Sequence, residues 1–362
     1  MKHARAATPP ASKKDSADGE QLSPFEPQTL PVDRGIRIAI ISVVAAIALV
    51  GGYLAWSVWG NQQLAITQSP AARAVANLAA IVKKTPGVAG ARVKLAEAMV
   101  ANDQLDDAIV QLKAALEIEK DNAAALTDLG LIAMQRREWK LAESYWLKLV
   151  DILGATEMAS KDAALADVYY YLGTTYVEEE RYEDAVANLK KSLSIKRDSS
   201  PAHYMLATAY QRLNLPDMQE QELQIVVAFD PKQAQANYDL GLLSLAKGDK
   251  AQAAEYFRVS ADNAPEGVTK PMDELAKLGT ASVHLASAQR LRTSDPEAAL
   301  VEARIAAALD PASAPAVKLV AELAEQQKDT KRALNAWERY LELVPGDKTA
   351  TDAIQRLSAN AK

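Results

Sequence analysis

The sequence predicts an all-α chain: a solenoid of stacked helical hairpins, preceded by one transmembrane helix and a disordered N-terminal tail. Three observations carry this expectation. Prolines and helix-ending phrases recur at one fixed interval, the stretch from Ile38 to Trp59 is almost wholly apolar, and the segment 1–36 is rich in Pro, Ser and alternating charge. A chain of 362 residues exceeds one ordinary core, whereas a repeat array grows by adding units. The absence of cysteine excludes disulfides, thiolate metal sites and thiol nucleophiles. A net charge of −6 argues against nucleic acid as a partner, because phosphate binding needs a basic face.

Residues 1–36 cannot bury a core and are expected to be a disordered cytoplasmic tail. From Ile38 to Ala72 there is no Asp, Glu, Lys, Arg or His. The run Ile38 to Trp59 would extend roughly 33 Å as a helix, against a hydrocarbon core of about 30 Å. Backbone in lipid must satisfy its own hydrogen bonds, so a transmembrane helix is expected over 37–60, with Tyr53, Trp56 and Trp59 at the interface. A cleaved signal peptide would need a shorter apolar stretch and a small-residue exit; an uncleaved signal anchor fits better. Lys2, Arg5, Lys13, Lys14, Arg34 and Arg37 precede the span, and the next basic residue is Arg73. A single-pass protein of the cell membrane, N-terminus in the cytoplasm and array extracytoplasmic, is therefore expected. Ala48 with Gly52, or Gly51 with Ala55, have the small-residue spacing through which spans pair, which suggests self-association.

Residues 61–88 read as a linker and a lone helix, Ser69 to Lys84, with Ala74, Leu78 and Ile81 on one face and Pro86 beyond its end. The array proper spans 89–347. Pro231 is followed by Pro265, and Pro311 by Pro345, at the same interval of about 34 residues, a length typical of stacked helical hairpins. The phrases AFDPKQ, ADNAPEG, ALDPAS and LVPGDK each close an apolar-periodic helix. Seven units follow: 89–122, 123–156, 166–199, 200–233, 234–267, 280–313 and 314–347. Insertions at 157–165 and 268–279 break the phase, and both look helical enough to lengthen neighbouring helices. Residues 348–362 contain an amphipathic helix with Ala353, Ile354 and Leu357 on one side, expected to cap the array.

Within the units, Tyr169, Leu172, Gly173, Tyr176, Ala185 and Leu189 form one set; Asn237, Leu240, Gly241, Ala253, Phe257 and Pro265 a second; Leu126, Leu129, Gly130, Ala142 and Trp146 a third. This pattern resembles the tetratricopeptide repeat (TPR) family, of a single-pass membrane-anchored bacterial type. The resemblance covers roughly residues 70–362 and implies a right-handed solenoid. Small residues at places eight and twenty let the two helices approach, large residues fill the space between repeats, and a terminal proline stops the second helix.

The resemblance also implies that first helices line a concave groove, with places five and nine pointing into it. Those places carry Thr127, Leu131, Tyr170, Thr174, Tyr204, Thr208, Tyr238 and Leu242, with His284 next at place five. Tyr170, Tyr204 and Tyr238 recur at the repeat interval, one per unit, and should form a column suited to an extended peptide or a partner helix. The same tyrosines could instead pack only between helices. The carboxylate clamp of TPR co-chaperones is absent, because the corresponding places carry Val93 and Glu97, Tyr170 and Thr174, or Tyr204 and Thr208.

No metalloprotease, nucleophile-elbow or phosphate-loop motif is present, and the three histidines, His3, His203 and His284, are scattered. His203 reads as a satisfied core or seam histidine rather than a ligand. No enzyme activity, cofactor or metal is expected. The expected function is a membrane-anchored scaffold or adaptor holding protein or peptide partners, as in secretion, envelope assembly or cytochrome maturation. A chaperone-like holdase or assembly factor for secreted and envelope proteins, and a self-assembling structural scaffold, stand as alternatives.

Overall fold

The structure is a computed structural model that describes residues 69–156 and 158–360. Seventeen α-helices and one short 3-10 turn, Ala159–Lys161, make up the regular structure among these residues. A lone helix α1 (Pro70–Lys84) precedes the hairpins α2 (Ala89–Ala101) with α3 (Leu105–Ile118), and α4 (Ala123–Gln135) with α5 (Trp139–Gly154). After the 3-10 turn come α6 (Ala163–Glu178) with α7 (Tyr182–Ile195), α8 (Ser200–Arg212) with α9 (Pro216–Phe229), and α10 (Ala234–Ala246) with α11 (Lys250–Asn263). A short helix α12 (Lys270–Lys277) separates these from α13 (Ala281–Leu291) with α14 (Pro296–Leu309), α15 (Ala314–Gln326) with α16 (Thr330–Leu343), and the last helix α17 (Lys348–Asn360).

The expectation of a transmembrane helix ahead of the solenoid requires correction. No helix among the described residues is long and apolar enough to cross a membrane. The longest, α5 and α6, have 16 residues each, roughly 24 Å of helix, short of a hydrocarbon core of about 30 Å. The segment 37–60 on which the expectation rested, and the tail 1–36, lie outside the described residues. The fold class that stands is an all-α solenoid of helical hairpins.

Each hairpin is built around a socket. A Cβ placed on Gly130 would lie 2.6 Å from the Trp146 ring, on Gly173 2.6 Å from Leu189, and on Gly241 2.5 Å from Phe257. The small eighth place therefore serves chiefly to seat the large twenty-fourth residue of the same hairpin, more than to bring two backbones together. Trp146, Leu189 and Phe257 are completely buried in those sockets. Alanine does the same work at Ala96, Ala207 and Ala321, which lose essentially all their exposure.

The hairpin tips share a second device. Asp103, Arg137, Glu180, Asn214 and Lys328 have φ between 56° and 63°, and Gly248 has φ 84°, each at the fifteenth place of its unit. Left-handed backbone costs an L-residue roughly 1 kcal/mol or more. Glu180 is exposed, so Glu180→Gly is expected to stabilise the chain by about 0.5–1 kcal/mol, the relief being offset by the greater freedom of glycine in the unfolded state. Chemical denaturation measures this directly.

A third device stitches consecutive units. A polar side chain near the start of a first helix meets the carbonyl six residues before it: Arg92 Nε donates to Pro86 O at 3.2 Å and Asn237 Nδ2 to Pro231 O at 3.1 Å. His203 Nε2 lies 3.0 Å from Arg197 O and His284 Nε2 2.8 Å from Leu278 O. The other ring nitrogen of each histidine meets a carboxylate of the second helix, Glu222 at 2.6 Å and Glu302 at 2.7 Å. His203 is thus a satisfied seam residue.

The two insertions behave differently. Within the first insertion, residues 159–165 form the 3-10 turn and then the first turn of α6, where the Asp162 side chain accepts from Ala164 N at 2.8 Å. At 268–279 it does not lengthen a neighbour but makes the separate helix α12, held apart by Gly267 and Gly279 at φ 85° and 116°. Beyond it α11 packs directly on α14, second helix on second helix, and α13 packs chiefly on α14. Arg304 of α14 secures this junction with two bonds to Glu255, at 2.6 and 2.9 Å, and one to Gln252 at 3.0 Å.

Candidate functional site

The candidate surface is the row of first helices α4, α6, α8 and α10. Thr127, Tyr170, Thr174, Tyr204, Thr208, Tyr238 and Leu242 are half-buried there, and Leu131 is 38% exposed. The helical period explains this intermediate state: places five and nine are four residues apart, one turn along the edge of the buried stripe.

Each tyrosine is anchored on one side. Tyr170 packs against Tyr171 with ring centroids 5.3 Å apart, and Tyr238 against Phe257 at 5.8 Å. Tyr204 donates its hydroxyl to Asp239 of the next unit at 3.0 Å, so α8 and α10 are tied across the seam. Burial raises all three phenols above the ordinary range, and for Tyr204 the Asp239 carboxylate adds to it. Tyr171, one residue off the column, stacks on Trp146 at 5.0 Å and belongs to the α5–α6 seam. His284 does not continue the column. It occupies the stitching place that His203 holds, because α13 is one residue out of phase: fully buried Ala288, not Ser287, takes the small place.

The threonines turn their donors inward. Thr127 Oγ1 donates to Ala123 O at 2.9 Å, Thr174 to Tyr170 O at 2.9 Å and Thr208 to Tyr204 O at 3.0 Å. What they retain toward a ligand is acceptor capacity.

Two carboxylates on these helices escaped the sequence reading. Asp128 and Asp239 both stand at place six, next to the tyrosine column, and an acid at that place in two units was the available signal. Asp239 accepts from Tyr204 and from Gln235 Nε2 at 3.2 Å, yet burial still raises its carboxyl above the usual range. Asp128 Oδ2 is buried without a hydrogen-bond partner among the described residues. Its carboxyl is pushed up to about 6, first by burial and then by the charge of Glu97. Because the folded value exceeds the unfolded value of 3.8, the stabilisation of the protonated form is complete below about 4 and is lost as pH rises through about 6. Asp128→Asn is expected to flatten the stability profile across that window and to raise the melting temperature at neutral pH, as thermal denaturation at several pH values would show.

The fold is a helical-repeat scaffold, with acceptors and aromatic rings along its first helices. Residues 93–156 and 204–268 match the tetratricopeptide repeat family model, and residues 166–203 match the SHNi-TPR model. Over these residues the hairpins are similar to tetratricopeptide repeats. No curated protein matches the chain. Similar solved structures include YrrB, described as a TPR protein with an unusual peptide-binding site, at 19% identity and TM-score 0.43 over 52% of this chain and 93% of that one. MamA from Desulfovibrio magneticus RS-1 aligns at 20% identity and TM-score 0.43 over 48% and 93% of the two chains. PilF of Pseudomonas aeruginosa aligns at 17% identity and TM-score 0.43 over 75% and 97%. The TPR fold implies protein or peptide partners, and such arrays are generally non-enzymatic.

Proposed function

We propose that the chain is a protein-interaction scaffold that holds an extended peptide or a partner helix along the first helices α4, α6, α8 and α10. The observation that carries this reading is the series Tyr170, Tyr204 and Tyr238. They recur once per unit, each anchored on one side and half-exposed on the other. An aromatic ring fixed by its neighbours loses little conformational entropy on binding, which favours it as a contact surface. The threonine oxygens and the Asp128 and Asp239 carboxylates favour a ligand that brings N–H donors.

The test is site-specific photocrosslinking in cells that contain the full chain. A photoreactive residue at Leu131, Thr174, Thr208 or Leu242 is expected to capture the same partner, and one at Val110, a 61% exposed position of α3, is expected to miss it. Equal capture at Val110, or capture at none of the four first-helix positions, would overturn the reading. These positions leave the tyrosine packing intact, so the test does not disturb the fold.

A further inference from the structure

Where α11 packs on α14, a concavity of about 590 Å³ opens between α11, α14, α15 and α16. Ligand sites commonly enclose about 300–1,000 Å³. This one is separate from the first helices α4–α10 that carry the tyrosines. Part of its wall is apolar, built from Val259, Ala307, Val317 and Val320.

The charges around it divide unevenly. Each of its three carboxylates is matched by an arginine: Glu255 with Arg304 at 2.6 Å, Asp262 with Arg258 at 3.3 Å, and Asp329 with Arg332. Arg258 is further fixed by the carbonyls of Ala308 and Leu309 at 2.6 and 3.2 Å. Two cations remain. Lys331 has no ion pair among the described residues, and Arg339 reaches only Glu342 and the Pro311 carbonyl, both at 3.5 Å. Lys331, Asn335 and Arg339 follow one another at four-residue intervals on α16, so they share one face, and all three are exposed. The two cations are set roughly 12 Å apart along the helix.

This positive excess stands in an acidic array: of the 41 basic and 47 acidic side chains in the sequence, all but six and five respectively follow the apolar run. Two cations spread along one helix face favour a ligand that can meet both at once. A chain with carboxylates spaced along it can, while its apolar side chains cover the valine wall. We propose that the concavity is a second binding site, which takes an acidic amphipathic segment of a partner protein, its Asp and Glu side chains on Lys331 and Arg339. Charge complementarity selects this occupant, and the site does not rest on the reading of the tyrosine surface.

The test uses the full chain and two fluorescein-labelled helical peptides, one with Leu and Glu at amphipathic spacing and the other with Leu and Lys. Fluorescence anisotropy is expected to show salt-sensitive binding of the acidic peptide, and at least about tenfold weaker binding of the basic one. Lys331→Glu with Arg339→Glu is expected to weaken the acidic peptide by about tenfold or more, with an unchanged circular dichroism spectrum because both side chains are exposed. Asn335→Arg, between them, is expected to tighten it. Thr174→Arg with Thr208→Arg, on the tyrosine surface, is expected to leave it unchanged. Equal binding of the two peptides, indifference to the Lys331 and Arg339 reversals, or loss confined to the Thr174 and Thr208 variant would each overturn the proposal. Self-association of the chain that depends on Lys331 and Arg339 would assign the site to a second copy and overturn it as well.

Discussion

Trp146→Ala is expected to destabilise the array by about 3–5 kcal/mol, the range for removing a fully buried aromatic side chain. Trp146 is 0% exposed, fills the socket over Gly130 and stacks on Tyr171, so its loss opens a cavity bounded by two consecutive units. The loss should also be local. In a solenoid each unit is supported only by its neighbours, and hydrogen exchange is expected to accelerate in α4 to α7 while α15 to α17 keep their protection. Uniform acceleration through all hairpins would contradict this nearest-neighbour account. The indole N–H of Trp146 is buried without a partner among the described residues. Trp146→Phe, which removes that orphan donor along with part of the volume, is therefore expected to cost clearly less than Trp146→Ala.

Arg304→Ala is expected to cost about 2–3 kcal/mol and to broaden urea unfolding into two transitions. Arg304 is 8% exposed and joins α14 to α11 through Glu255 and Gln252. Removing one partner of a buried pair typically costs about 3–5 kcal/mol. The lower figure applies because the Glu255 side chain keeps 38% of its exposure and can be partly rehydrated. This junction is where the array changes its stacking, with α11 on α14 in place of the first-on-second contacts seen elsewhere, so the hairpins on either side should come apart as separate blocks. Arg304→Met with Glu255→Leu, which replaces the pair by apolar volume, is expected to restore most of the lost stability and the single transition. A single cooperative transition in Arg304→Ala would show that other contacts suffice to couple the blocks.

What could be read in the chain itself is what depends on residues close in sequence. Gly130 and Trp146 are separated by the same interval as Gly173 and Leu189, and as Gly241 and Phe257. A socket and its occupant lie within one hairpin, so their recurrence announces both the helices and their pairing. That His203 is a satisfied histidine was legible for a similar reason, though not whether core or seam: its partners, Arg197 and Glu222, lie within one unit length on either side. The apolar run at 38–59 lies outside the described residues. Its span was inferred from composition, and none of the described helices has the length or the apolarity to cross a membrane.

The candidate surface was half legible. Spacing alone put Tyr170, Tyr204 and Tyr238 on one edge of successive helices, but it could not show that Tyr204 would spend its donor on Asp239 or that the threonine donors would turn inward. Those choices depend on the neighbouring helix and on the local carbonyls. His284 was misplaced by one residue, because the extra helix α12 shifts the phase of α13 while α14 returns to register.

By itself, the sequence determined that this protein carries an array of helical hairpins, because the pattern of small and large residues acts within one unit and repeats from unit to unit. Only the tertiary structure decided how the array continues past the insertion at 268–279, which carboxylates are left unsatisfied, and where Lys331 and Arg339 stand beside an apolar wall with no lining carboxylate to pair with. Those features depend on which helices meet across long separations, as Arg304 meets Glu255, and no local period encodes that meeting.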